Sequence, residues 1–251
     1  MNIIQSPSLN FNDRKQKLDL LVLHYTGMED GPSALARMQD EAAEVSSHYM
    51  VDVDGTIHQL VAEDKRAWHA GRGSWQGDED LNSRSIGIEI VNGGHNIPLA
   101  DGSLPPYTRA QIDAVLALCK DIVARNAIPP TRIVGHSDIA PTRKEDPGEH
   151  FPWEEFASHG IGVWPEPPAF APPVEDRITI GAKGPRVAEI QHMLKVIGYG
   201  INVNADFDAL TRDVVIAFQR RWHQANVTGE ADIATVKLIE RVAALTSDAM
   251  T

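Results

Sequence analysis

The apolar positions of the first 160 residues change period repeatedly along the chain. Leu20-Leu21-Val22-Leu23 is a short continuous apolar run, fit for a buried central strand, and His24 follows at its end. Residues 47–53 and 56–61 flank Asp54-Gly55, a dipeptide that predicts a two-residue hairpin with both turn positions at positive φ. Residues 85–91 alternate, with Ile86, Ile88 and Ile90 on one face and Ser85, Gly87, Glu89 and Val91 on the other. One carboxylate therefore points away from an isoleucine face. The period then becomes helical: Thr108 and Gln111 make a capping box for a helix running to Asn126, and Pro129-Pro130 prevents its continuation. Residues 132–135 predict a further short strand, which delivers His136. Strand and helix periods in alternation predict an α/β fold, a mixed central β-sheet flanked by helices.

The last part of the chain is helical throughout. Val187, Ile190, Leu194 and Ile197 form one stripe, Val214, Val215, Phe218 and Trp222 a second, and Val236, Ile239, Val242 and Leu245 a third. They predict a compact C-terminal three-helix module. Between the two regions, residues 162–174 hold five prolines, a stiff extended segment that cannot continue a helix. The expected division is a catalytic domain over residues 1–162, a proline-rich linker over 163–175 and a helical domain over 176–251.

Charge changes this picture by exclusion. A net charge of −12 opposes binding to duplex nucleic acid, whose affinity comes from neutralised phosphates. From residue 175 onward ten acidic and nine basic residues nearly cancel, so the excess sits in the first region. The apolar runs are too short for a membrane span. The single cysteine, Cys119, lies among Ile112, Val115, Leu116, Ile122 and Val123 at helical spacing and reads as a core thiol, with no internal disulfide open to it. Met1 to Arg14 contain neither an apolar leader nor a lipid-accepting cysteine, which favours a cytoplasmic protein.

The candidate chemistry lies at strand ends. His24 and His136 each follow a short apolar strand, so two imidazoles can converge at the carboxyl edge of one sheet. Asp146 comes ten residues after His136, in a turn bounded by Pro147 and Gly148. Two histidines and one carboxylate suit a zinc ion with an open fourth position, as in catalytic sites. The same histidines could equally satisfy buried hydrogen bonds, and spacing does not decide between the two. With one cysteine, a closed Cys-rich structural zinc site is excluded.

Five segments then resemble the zinc-dependent N-acetylmuramoyl-L-alanine amidases of the second type, relatives of peptidoglycan recognition proteins. They are Leu21-Val22-Leu23-His24-Tyr25-Thr26, Ser46-Ser47-His48-Tyr49, Arg66-Ala67-Trp68-His69-Ala70-Gly71, Ser85-Ile86-Gly87-Ile88-Glu89-Ile90, and the stretch from His136 through Lys144 and Asp146 to Gly148. The last is the most specific, because His, Lys at plus eight and Asp at plus ten recur in one proline-bounded loop. The resemblance implies that His24, His136 and Asp146 hold Zn²⁺, that Glu89 is the general acid/base, and that Lys144 faces the oxyanion. It also implies that Trp68 and Asn82 bind substrate as an aromatic wall and a polar anchor, and that His48 and His69 support the site rather than ligate. Trp75-Gln76-Gly77-Asp78-Glu79-Asp80 is acidic where a recycling-type relative would carry a basic residue.

Residues 178–243 resemble the peptidoglycan-binding module often fused to such amidases, through Gly181, Gly184, Asp206, Asp208, Gln219 and Gly229 among others. A working wall-binder and a module that only props the catalytic domain both fit. The partners implied are peptidoglycan fragments or murein, acted on by a monomer. All four ligand and acid/base positions hold competent residues, which favours an enzyme over a silent recognition protein. The absent leader favours soluble muropeptides as substrate, including 1,6-anhydro forms, while the fused module favours polymeric murein outside the membrane.

Overall fold

The computed structural model describes residues 2–166 and 177–248. In chain order its elements begin with β1 (Ile3–Gln5), β2 (Phe11–Asp13), β3 (Leu20–Tyr25), α1 (Gly31–Gln39), β4 (Tyr49–Val51), β5 (Ile57–Gln59) and β6 (Lys65–Ala67). They continue with α2 (Leu81–Arg84), β7 (Ser85–Ile90), α3 (Arg109–Asn126), β8 (Ile133–Gly135), α4 (His136–Ile139) and α5 (Trp153–Ser158). The last three are α6 (Pro185–Ile197), α7 (Ala209–Trp222) and α8 (Ile233–Asp248).

Six strands form a mixed sheet in the order β1-β5-β4-β7-β3-β8, in which only β4 and β5 pair antiparallel. Strands β3 and β7 are parallel neighbours, and β8 joins β3 on its far side. Both sheet faces are covered, which is why Leu20 to Leu23 is apolar without alternation. Leu21, Leu23, Ile86, Ile88, Ile90 and Ile133 pack on one side with Ile112, Val115, Cys119 and Ile122 of α3. Leu20, Val22 and Val134 face the other way, into a cluster that runs through Trp75 and Leu81 to Ile190, Leu194, Phe218 and Ile239 of the C-terminal helices. The helical region therefore supplies part of the sheet's own cover.

The capping box forms as expected, with Thr108 Oγ1 accepting from the Gln111 N–H and Gln111 Oε1 from the Thr108 N–H. Cys119 is fully buried and its thiol is pushed up by burial alone. Three expectations need correction. The β4–β5 connection is longer than two residues: Gly55 N–H donates to Asp52 C=O and Asp52 N–H to Thr56 C=O, and of the Asp54-Gly55 pair only Gly55 has positive φ, at 85°. Strand β3 also runs on through His24 and Tyr25, because both pair in register with β7. Leu245 is 40% exposed, and Thr246 takes the buried place in the α8 stripe by returning its hydroxyl to the Val242 carbonyl. Of the expected linker, residues 163–166 are described, with the Val163 carbonyl accepting from Trp222 Nε1, while 167–175 lie outside the described residues. No described helix is long and apolar enough to cross a membrane.

These burial differences predict unequal costs along α8. Ile239→Ala should lower unfolding free energy by about 2–5 kcal/mol, and Leu245→Ser should change it by no more than about 0.5 kcal/mol, as read by denaturant titration.

Candidate active site

Parallel strand order brings three strand ends together. His24 of β3 lies directly opposite Glu89 of β7, and Leu23 opposite Gly135, the residue before His136. Open parallel sheets place their ligand sites outside these carboxyl ends. The segment after β8 folds back on itself, with Ser137 N–H donating to the Asp146 carbonyl. Pro147, reached through a cis bond from Asp146, packs against Gly135, where a Cβ would sit 2.7 Å from the proline ring. Gly135 thus permits the close approach that returns Asp146 to His136.

His24 Nδ1, His136 Nδ1 and Asp146 Oδ2 lie 2.9 Å from one another, and all three residues are buried. The proton positions follow from the partners behind them. Ser85 Oγ–H donates to the Leu81 carbonyl at 2.6 Å, so its oxygen accepts from His69 Nε2–H at 3.1 Å. His69 Nδ1 is then bare and accepts from His24 Nε2–H at 3.0 Å, which leaves a lone pair on His24 Nδ1. On the other side His136 Nε2–H donates to the Ala70 carbonyl at 3.0 Å, so in the neutral ring Nδ1 is the bare nitrogen and faces Asp146 and His24. Burial, with the His136 ring adding to it, lowers the His24 pKa to about 4, so this imidazole is neutral near pH 7. With both rings neutral, two lone pairs and a carboxylate oxygen converge on one point. That donor set fits a cation, and among the described residues it is the one group of three suited to hold a metal ion.

Beside it, a cavity of about 480 Å³ is lined by Trp68, His69, Glu89, His136, Lys144 and Asp146, with Arg37 at its wall. Glu89 Oε2 is buried without a hydrogen-bond partner, and burial, reinforced by the Asp146 charge and opposed by Lys144, raises its pKa well above the usual range. Gly87 sits between Ser85 and Glu89 on that face. A Cβ there would meet the His69 ring at 2.5 Å, so only glycine lets this imidazole lie across the strand. Trp68 joins the cavity wall with its Nε1 buried and unpartnered.

Asn82 Oδ1 accepts from the backbone N–H groups of His69 and Ala70, at 3.0 and 2.8 Å, and the residue is not among those lining the cavity. It braces the chain that carries the Ala70 carbonyl and His69, because β6 ends at Ala67 and leaves those amides without a strand partner. His48 supports from further back, accepting the Gly87 N–H on Nδ1. The acidic stretch is likewise structural: Asp78 pairs with Arg84 and Arg132, Asp80 with Arg66, and Trp75 is buried against Tyr199. Arg143, which sequence reading passed over, lines the cavity and donates to the Ala70 and Arg72 carbonyls. Its only signal was adjacency to Lys144.

Known proteins match this arrangement. The sequence profile of the N-acetylmuramoyl-L-alanine amidases matches residues 14–149, and that of a peptidoglycan binding domain matches residues 183–239. The chain is 36% identical to N-acetylmuramoyl-L-alanine amidase AmiD of Escherichia coli, over 95% of this chain and 89% of that protein. It is 33% identical to 1,6-anhydro-N-acetylmuramyl-L-alanine amidase AmpD of Haemophilus influenzae, over 62% of this chain and 89% of that one. The solved complex of Escherichia coli AmiD with anhydro-N-acetylmuramic acid-L-Ala-D-gamma-Glu-L-Lys superposes with a TM-score of 0.77, covering 92% of this chain and 90% of that one at 36% identity. AmpDh3 of Pseudomonas aeruginosa gives 0.76 at 31% identity, covering 92% of each chain. With a profile match over more than half its length and likeness to AmiD along nearly all of it, this chain belongs to the N-acetylmuramoyl-L-alanine amidase family.

Proposed function

We propose that the protein hydrolyses the amide between N-acetylmuramic acid, or its 1,6-anhydro form, and the L-alanine of peptidoglycan stem peptides, with Zn²⁺ held by His24, His136 and Asp146. The convergence of two imidazole Nδ1 atoms and a carboxylate oxygen beside the unpaired Glu89 oxygen carries this reading. Ligand atoms at about 2.0–2.1 Å from a tetrahedral zinc lie about 3.3 Å apart, within a few tenths of an ångström of the observed triangle. Zinc bound there would supply a Lewis acid and a water made nucleophilic at neutral pH.

The protein's own groups complete the reaction. Glu89, opposite His24, takes the proton from the attacking water and returns it to the leaving amine nitrogen, which would otherwise depart as a poor anion. Its raised pKa suits a group that must hold the proton between those two steps. Lys144 lines the same cavity, where its ammonium faces the oxygen on which negative charge develops. Trp68 gives an apolar wall with one unpaired N–H for the substrate, and Arg37 a cation for a peptide carboxylate. One chain supplies every one of these groups, consistent with action as a monomer. AmiD's bound ligand, an anhydromuramyl tripeptide, supports anhydromuramyl peptides as substrate.

His136→Ala should lose both zinc and hydrolysis, read by metal analysis and by release of the stem peptide. Glu89→Gln should keep zinc while its rate falls by about 10²–10⁴. Retained activity in either variant would overturn the assigned role. Rates compared side by side on anhydro-muropeptide and intact sacculi should favour the soluble fragment; the opposite order would make the protein a wall hydrolase. In metal-free protein the folded state resists protonating His24 and His48, whose pKa values fall to about 4 and about 3, and His69 more strongly still. The unfolded chain takes up these protons below about pH 6.5, so stability is complete above that pH and is lost as pH falls towards 4. The Tm of the chelator-treated protein should therefore drop steadily as pH falls below about 6.5, with the raised pKa of Glu89 offsetting one of the three histidine protons.

A further inference from the structure

We propose that Asp138, Tyr199 and Arg221 form a positioning set through which the C-terminal helices hold the segment bearing His136, Lys144 and Asp146 in working geometry. This rests on the metal reading above.

Asp138 lies two residues after His136 and is only 1% exposed. It has no part in the proposed reaction, yet both its oxygens are fully used. Oδ2 accepts from the Gly135 N–H at 2.8 Å and from Arg221 Nη1 at 2.7 Å, and Oδ1 accepts from the Tyr199 hydroxyl at 2.7 Å. Arg221 donates its second nitrogen, Nη2, to the Ile133 carbonyl at 2.7 Å. One guanidinium fork therefore grips the strand entering His136 and the short helix leaving it. The fork is itself fixed, because its carbon lies 4.4 Å from the ring centroids of both Trp153 and Trp222.

The grip continues along the same segment. Arg220 pairs with Glu145, the residue before Asp146, and Gln224 Nε2 donates to the Phe151 carbonyl at 2.7 Å. Residues from 220 to 224 thus hold four points of 133–151, a stretch that contributes two ligands and the cavity lysine. Its own backbone contributes less. Helix α4 has four residues, and β8 has three. A cluster of ligands is only as well placed as the chain that carries it, and supporting contacts behind ligands typically govern affinity by about 10–100-fold.

A buried ion pair need not add net stability, so positioning and stability can be separated by experiment. The full chain carrying Tyr199→Phe, which removes one hydrogen bond, or Arg221→Lys, which keeps charge but loses the fork, is compared with Ile239→Val. Ile239 is a core residue of α8 without a hydrogen bond or ion pair to residues 133–151 and should cost about 0.5–1.5 kcal/mol of stability on trimming. Zinc affinity is measured by competition with a chromophoric chelator, alongside kcat, KM and Tm. The expected result is zinc binding weakened about tenfold in Tyr199→Phe and Arg221→Lys, with kcat lowered and KM held, while Ile239→Val lowers Tm and leaves zinc affinity and kcat unchanged. Unaltered zinc affinity and kcat in the first two variants, or an equal loss in Ile239→Val, would overturn the proposal alone. Failure of the unaltered protein to bind zinc would remove the metal reading and this inference with it.

Discussion

Two imidazole lone pairs and a carboxylate oxygen, held 2.9 Å from one another in a buried place, repel unless a proton or a cation lies between them. The rest of the site is organised so that this arrangement persists. Each histidine spends its only proton on an acceptor behind it: the Ala70 carbonyl for His136, and for His24 a relay through His69 and Ser85 to the Leu81 carbonyl. Asn82 secures the backbone on which two of those supports depend. Gly87 leaves room for the relay to cross the strand.

The sheet explains why the reacting groups stand on one side. Residues 20, 22 and 24 of β3 and residues 85, 87 and 89 of β7 share a face, and the opposite face is given to leucine and isoleucine against α3. Parallel pairing puts His24 level with Glu89, so the proposed ligand and the proposed acid/base are adjacent without any loop between them. The apolar rows make that register hard to alter, because a slip of one residue would turn Glu89 into the α3 core.

The C-terminal helices are part of this construction. Their core is continuous with Leu20, Val22 and Val134 of the sheet, and Arg221 of α7 reaches through the contact to the Ile133 carbonyl and the Asp138 carboxylate, on either side of His136. A profile match to a peptidoglycan binding domain and this packing are compatible, since one surface can cover the sheet while another remains free for a ligand.

Much of the fold was legible because its signals are local. The isoleucine alternation of β7, the Thr108 cap and the stripes of α6 and α7 depend on residues a few positions apart, and periodicity reports them directly. The grouping of His24, His136 and Asp146 was legible because two of them share one short loop and the third ends an apolar run, while their reading as metal ligands came from the family resemblance. Leu245 was misread because the stripe rule does not register that Thr246 can satisfy its hydroxyl within its own helix. The backbone contacts of Asn82 were not legible, because sequence does not say which amides a side-chain oxygen will meet. Sequence alone therefore determined the elements, the reacting residue types and the family. Tertiary structure decided the tautomers, the brace at Asn82 and the grip of Arg221 on Asp138, because these are through-space hydrogen bonds between residues 12 to 83 positions apart, and no local pattern encodes which donor will face which acceptor.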